Sequence, residues 1–209
     1  MKLQEGRPFV DKVNSDTREY VQLLLEEIHR LNQTLTDFSS RYVDVEQQNT
    51  NLANLYVATY QLHGTLDRDR VLAAIKEVII NLIGSEELGI WEINGDALTL
   101  LDSFGIDAQK WDRVALDGGG GLIGLVAETG QRYIAGEADV VGGGPQESLT
   151  ACIPLKLDDT VIGVIGIFQL LPQKEGFEPI DLELFELLGS HAATALYCTR
   201  ATSRLMVVS

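Results

Sequence analysis

Cysteine is scarce in this chain: 209 residues contain only Cys152 and Cys198. They form no CxxC pair, which argues against a zinc framework or a disulfide-stapled scaffold and reads as reduced, buried thiols of a cytosolic protein. Basic residues are also few, 16 Lys and Arg against 31 Asp and Glu, for a formal net charge of -15. A surface for nucleic acid or anionic lipid needs clustered cations to displace counterions from phosphates, and no such cluster is present. The longest apolar run, Val161 to Phe168, is far too short to span a bilayer. No charged segment followed by an apolar core opens the chain, so no secretory leader is expected. Signatures of catalysis are missing as well: there is no HExxH, no GxSxG and no Walker lysine. Asp158-Asp159 and Glu86-Glu87 are paired carboxylates, but one pair reads as a turn and the other as solvated charge at a helix–strand junction.

What the chain does contain is an ordinary soluble composition, 45% apolar and 22% charged, enough for one well-buried core plus an extension. Its organising stretch is 149–170, LTACIPLKLDDTVIGVIGIFQL. Leu149, Ala151, Ile153, Leu155 and Leu157 alternate with Thr150, Cys152, Pro154 and Lys156, the period of a strand with one dry face. After Asp158-Asp159 the apolar residues occupy both parities, with Ile162, Val164 and Phe168 on one and Val161, Ile165 and Ile167 on the other. A strand of that kind is covered on both sides. The two halves predict a central hairpin, its odd face packed on helices and Thr150, Cys152 and Pro154 turned toward whatever covers the other face.

Residues 1–16 are polar, contain Pro8 and are expected to be a flexible lead-in. From Val21 the pattern becomes a heptad seam: Val21, Leu24, Ile28, Leu31, Leu35, Phe38, Tyr42, Val45, Asn49 and Leu52, continued in phase by Tyr56. A helix from Val21 to Tyr56 is about 50 Å long, more than a compact domain of this size buries against itself, so a partner helix is implied. Asn49 on an a-type position favours a parallel two-stranded pairing. We therefore expect a coiled-coil helix over 17–62, a globular domain over 63–200 and a tail over 201–209.

Within that domain Thr65 or Asp67 is placed to cap a helix whose apolar stripe runs from Val71 to Ile83 and ends at Gly84. Leu88 to Ile93 and Ala97 to Phe104 flank Asn94-Gly95-Asp96, a strong hairpin signal. A short strand at Val114 to Leu116 precedes a glycine run and a helical turn from Leu122 to Glu128, closed by Thr129-Gly130. A short strand at Arg132 to Ala135 follows, then a loop over Glu137 to Glu147 and the hairpin described above. A last helix starts at Ile180, with Leu184, Leu187, Leu188, Ala192, Ala195 and Leu196 on its apolar face. Strands between terminal helices suggest an α+β fold with an antiparallel sheet.

From about Leu55 to Arg200 the chain resembles a GAF domain, the small-molecule-sensing and dimerising module of many signalling proteins. The resemblance rests on Leu66-Asp67, Gly121-Leu122-Ile123-Gly124 with Thr129-Gly130, Ile153-Pro154-Leu155 followed by Val161-Ile162-Gly163-Val164, and Asp181-Leu182-Glu183-Leu184. It implies a central antiparallel sheet with N- and C-terminal helices on one face forming a dimer bundle. On the other face it implies a ligand pocket, roofed by Gly118 to Gly130 and the loop before Leu149. Cyclic-nucleotide-binding members carry an Asn-Lys pair followed by Phe and Asp-Glu, whereas here Gln169-Leu170-Leu171 follows the second central strand, which disfavours that ligand. Bilin attachment and reduction of free methionine sulfoxide both need pocket cysteines, and Cys152 with Cys198 do not form such a set.

The candidate pocket residues are Trp91, Phe104, Trp111, Gly120, Gly121, Leu122, Ser148, Thr150 and Cys152. Gly119-x-Gly121-x-x-Gly124 matches the dinucleotide fingerprint formally, but no parallel βαβ unit surrounds it, and a tight turn with free amides is the better reading. His29 flanks the seam, His63 precedes a cap, and His191 reads as an interface or satisfied core residue rather than a haem ligand, since no HxxxH accompanies it. The sequence requires no cofactor and no metal, and it names neither catalytic residues nor a ligand. The expected function is a non-enzymatic, cytoplasmic, homodimeric sensor that couples its pocket to the coiled coil and acts through another signalling protein, without nucleic acid or membrane as partner. The alternatives are a ligand-free dimerisation adapter whose pocket is filled by Trp91, Phe104 and Trp111, and, more distantly, a small redox enzyme using Cys152.

Overall fold

The structure, a computed structural model, describes residues 7–116, 119–136 and 149–208. It divides into two units, residues 1–51 and 52–209. Through the first unit runs most of α1 (Arg7–His63), which begins ten residues earlier than the seam alone predicts. Pro8 falls in its first turn, where the missing N–H costs no intrahelical bond. The expected lead-in is thus helical from Arg7 onward, and residues 1–6 lie outside the described part. Seam residues here are open to solvent, from Leu24 at 47% to Phe38 at 70% exposure.

The second unit is a six-stranded antiparallel sheet of order β3-β2-β1-β6-β5-β4 with helices on both faces. Its strands are β1 (Ser85–Asn94), β2 (Ala97–Phe104), β3 (Arg113–Ala115), β4 (Tyr133–Ile134), β5 (Ala151–Leu157) and β6 (Thr160–Leu170). Its helices are α2 (Arg68–Val78), α3 (Ala108–Trp111), α4 (Gly121–Thr129), α5 (Pro179–Leu187) and α6 (Ala193–Val208). Asp67 caps α2, its carboxylate accepting from the Arg70 amide. Both long helical runs contain a π-turn: Ile79–Ile83 extends α2, and Leu188–Ala192 joins α5 to α6.

The β1–β2 hairpin closes through Gly95-Asp96, with Gly95 at φ +68 and Asn94 paired with Ala97. A positive φ at the first central residue is what a two-residue hairpin of matching twist requires. The β5–β6 hairpin turns at Asp158-Asp159 as expected, with Asp158 in the left-handed region. It is not itself the centre of the sheet: the middle pair is β1 with β6, and β5 carries only the two-residue β4 beyond it.

Two apolar layers follow from strand parity. On the helical face, Leu88 and Ile90 of β1, Ala151, Ile153 and Leu155 of β5, and Ile165 and Ile167 of β6 pack with α2, α5, α6 and Ala58 and Leu62 of α1. On the other face, Trp91, Cys152, Val164 and Phe168 pack with Leu122, Ile123, Val126 and Ala127 of α4. Leu149 departs from the expected parity. It precedes β5, outside the pleat, and packs in the second layer beside Cys152.

Candidate functional site

The second face of the sheet is the place where the candidate residues converge. Gly89 and Gly166 are register partners on β1 and β6, and two glycines side by side leave a hollow in the pleated surface. Trp91 fills it. Its ring folds back along its own strand, close enough that a methyl on Gly89 would stand 2.2 Å from the indole Cη2, and one on Gly166 would stand 3.1 Å from Cζ3. The indole is fully buried, and its Nε1–H donates to the Trp111 carbonyl at 2.8 Å, so the ring's one polar group is satisfied. Trp111 and Phe168 enclose it, with ring centroids 6.2 and 6.4 Å from Trp91 and 5.0 Å from each other.

Of the other expected pocket residues, Leu122 lies in the same layer, on α4. Gly120 and Gly121 form the entry to α4. Gly121 takes a positive φ of +57, and Gly120 packs against β3, where a methyl would come within 2.0 Å of the Ala115 carbonyl oxygen. Only glycine lets α4 approach the sheet this closely. The Thr150 hydroxyl donates to the Phe168 carbonyl, which commits it to the β5–β6 pairing. Phe104 is 49% exposed at the end of β2, opposite Leu88 in register and apart from the aromatic cluster. Ser148 lies outside the described residues. Phe168 is the member sequence reasoning left out, although its parity with Val164 marked it.

Cys152 is wholly buried in this layer, and desolvation pushes its thiol well above the ordinary range, only partly offset by a hydrogen bond from the Ile153 backbone. Such a thiol stays protonated and is a poor nucleophile. Cys198 is exposed on α6. Among the described residues no three His, Cys, Asp or Glu gather as a metal site.

The helical face carries an open cleft of about 610 Å³ at the β5 side, between β5 and the α5–α6 run. Ile153, Pro154 and Phe185 line it together with Arg132, Lys156, Glu186 and Ser190, and Arg132 pairs with Glu186 at 3.5 Å. Pro154 keeps the parity of Cys152 and pairs with Val164 of the second layer, and its backbone carbonyl faces Gly189 on the cleft side. A second charged group ties other elements together: Glu92 of β1 pairs with Arg68 of α2 at 2.7 Å and Arg200 of α6 at 3.5 Å.

A six-stranded antiparallel sheet with α2 and α6 on one face and a glycine-led helix over the other is the arrangement the sequence resemblance implied. A model of the GAF domain matches residues 65–196. The chain belongs to the GAF domain family. GAF domains are a family of signalling and sensor modules.

No curated protein matches the chain. Among solved structures it is similar to the GAF domain of a phosphoenolpyruvate-protein phosphotransferase from Coxiella burnetii, at 19% identity over 74% of this chain and 96% of that one, with a TM-score of 0.58. The corresponding domain from Acinetobacter matches at 16% identity over 73% and 96%, TM-score 0.57. The free methionine-R-sulfoxide reductase from Neisseria meningitidis, in complex with its substrate, matches at 22% identity over 71% and 89%, TM-score 0.55. At these identities the likeness is one of fold. Among the described residues no helix is long and apolar enough to cross a membrane.

Proposed function

We propose that this GAF protein is a non-enzymatic, homodimeric regulatory module of the cytoplasm, paired through α1 and acting on another signalling protein. The observation that carries the reading is the seam of α1. Ile28, Leu31, Leu35, Phe38 and Tyr42 are each at least half exposed in the single chain, on one helix face and in heptad register. A second copy is the occupant that satisfies it. Asn49 at an a position can bond to its own counterpart across a parallel dimer. In that arrangement Arg41 at g meets Glu46 of the second copy at e, and none of the g-to-e′ pairs from Glu27 to Leu55 sets like charges together. The state of Cys152 supports the non-enzymatic reading against a thiol-based reductase.

As a sensor, the module would require a ligand that binds one packing of the helices better than another, since only that difference shifts the equilibrium. A second reading, an adapter with no ligand, is favoured by one observation: Trp91, with Trp111 and Phe168 around it, already occupies the hollow over Gly89 and Gly166. Native mass spectrometry of the purified full chain tests both. Two chains with an added small-molecule mass support the sensor, and two chains with none support the adapter. A single chain at micromolar concentration overturns the dimer. For the sensor, hydrogen exchange along α1 must change at ligand saturation, and unchanged protection there removes the coupling.

A further inference from the structure

Two imidazoles 128 residues apart meet where α1 ends. His63 Nε2 stands 2.8 Å from His191 Nδ1, with the rings edge to face and centroids 5.1 Å apart. His63 is exposed and His191 half-buried, so the pair is accessible from solvent. His191 belongs to the π-turn Leu188–Ala192, a widened turn of the kind often found at functional positions.

The heptad phase places His63 in a particular way. Steps of seven from Val21 run through Ile28, Leu35, Tyr42, Asn49 and Tyr56 to His63, so the histidine is the last a position of the seam. Over its final turns α1 has two faces. Leu55, Ala58 and Leu62 pack into the helical-face core. Leu52 and Tyr56, 67% and 70% exposed, remain on the seam side with His63. The domain therefore does not use up the seam before the helix ends.

Resting on the dimer reading above, we infer that His63 and His191 form half of a divalent transition-metal site that a second copy completes. In a parallel two-stranded coil, equivalent a residues face each other across the axis, so the two His63 side chains meet and each brings its own His191. Four neutral imidazoles with no carboxylate suit a tetrahedral ion, and Zn²⁺ is the one this donor set favours. With Zn–N distances near 2.0–2.1 Å, two nitrogens on one tetrahedral ion stand about 3.4 Å apart, an opening of roughly half an ångström from the present contact. Both facing nitrogens must be unprotonated to ligate, so the ring that donates the present hydrogen bond changes tautomer, its proton passing through solvent to its other nitrogen, and each neutral ring then bears its N–H on the nitrogen away from the ion. One chain supplies only two ligands, so the ion links two copies and fastens the end of each α1 to the helix that follows its π-turn.

The test uses the tag-free, full-length chain stripped of metal by chelator. Isothermal titration with Zn²⁺ is run beside light scattering, and Co²⁺ serves as a spectroscopic substitute. The expected result is one ion per two chains and the visible bands of a tetrahedral Co²⁺ centre. His63→Gln and His191→Gln should each weaken binding about hundredfold or more while the molar mass stays dimeric. A dimer that takes up no Zn²⁺, that binds one ion per chain, or whose binding survives both substitutions overturns this inference and leaves the dimer standing. A monomer without uptake overturns the dimer, and this inference with it.

Discussion

The packing of Trp91 over Gly89 is a claim about volume, and a double-mutant cycle measures it. In the native chain Gly89→Ala puts a methyl 2.2 Å from Cη2, 2.7 Å from Cζ3 and 2.8 Å from Cζ2 of the indole. The ring cannot swing aside, because Nε1–H is bonded to Trp111 and its sides lie against Trp111 and Phe168. Overpacking of this kind costs about 1–3 kcal/mol. Trp91→Ala alone should cost about 3–5 kcal/mol, the range for emptying a buried aromatic site. In the Trp91→Ala background the added methyl enters vacated space. Gly89 lies outside the left-handed region, so alanine there gains the usual few tenths to about 1 kcal/mol from a stiffer unfolded chain. The substitution thus changes sign between backgrounds, with a coupling energy of about 2 kcal/mol or more. Urea unfolding at one fixed protein concentration reads it. At a slope near 2 kcal/mol per molar, Trp91→Ala lowers the midpoint by about 2 M, and Gly89→Ala lowers it only where Trp91 is present. Equal costs in both backgrounds would show that the indole does not occupy this hollow.

Burial separates the two thiols: maleimide labelling followed by mass spectrometry should add one group to the native chain, at Cys198, and a second only in denaturant. Rapid native labelling of Cys152 would contradict its placement under α4. Asp181 is fully buried, and its carboxylate takes hydrogen bonds from Lys174 at 2.8 Å and from the Glu178 amide at 2.7 Å. Lys174→Met should therefore cost about 3–5 kcal/mol in thermal or urea unfolding, and Lys174→Met with Asp181→Asn should recover much of that, because the penalty comes from a stranded charge. Gly120→Ala meets the Ala115 carbonyl at 2.0 Å, a backbone atom with nowhere to go, while a methyl at Gly176 meets nothing within 4 Å. Circular dichroism melts should show a large loss for Gly120→Ala and almost none for Gly176→Ala; equal melts would refute the close packing of α4 on β3.

How much of this was legible in the sequence depends on the range over which each feature is encoded. Strand parity is local, and it correctly separated Ala151, Ile153 and Leu155 from Cys152, because each side chain's face is fixed by its neighbours two residues away. It misplaced Leu149 because the pleat starts only at Ala151, a boundary set by pairing with β6 rather than by composition. From local sequence the glycine run reads as a tight turn with free amides. Its cause is tertiary, the approach of α4 to the Ala115 carbonyl, and no spacing rule contains that distance. Trp91 and Trp111 do lie in the layer opposite the main helices, where the pocket is expected. Phe104, expected there too, stands exposed at the strand's end, beyond a bulge at Ile90/Trp91 in the β1–β2 register. The histidines show the limit most clearly. His63 could be placed in the heptad by counting, yet nothing in the sequence near it or near His191 announces the other, since their meeting requires the whole sheet to bring α1 and the π-turn together. The metal test is therefore also a test of whether a local repeat, continued in phase to its last residue, can be trusted to say what stands across the dimer axis. Ligation by both histidines at one ion per two chains would mean that it can.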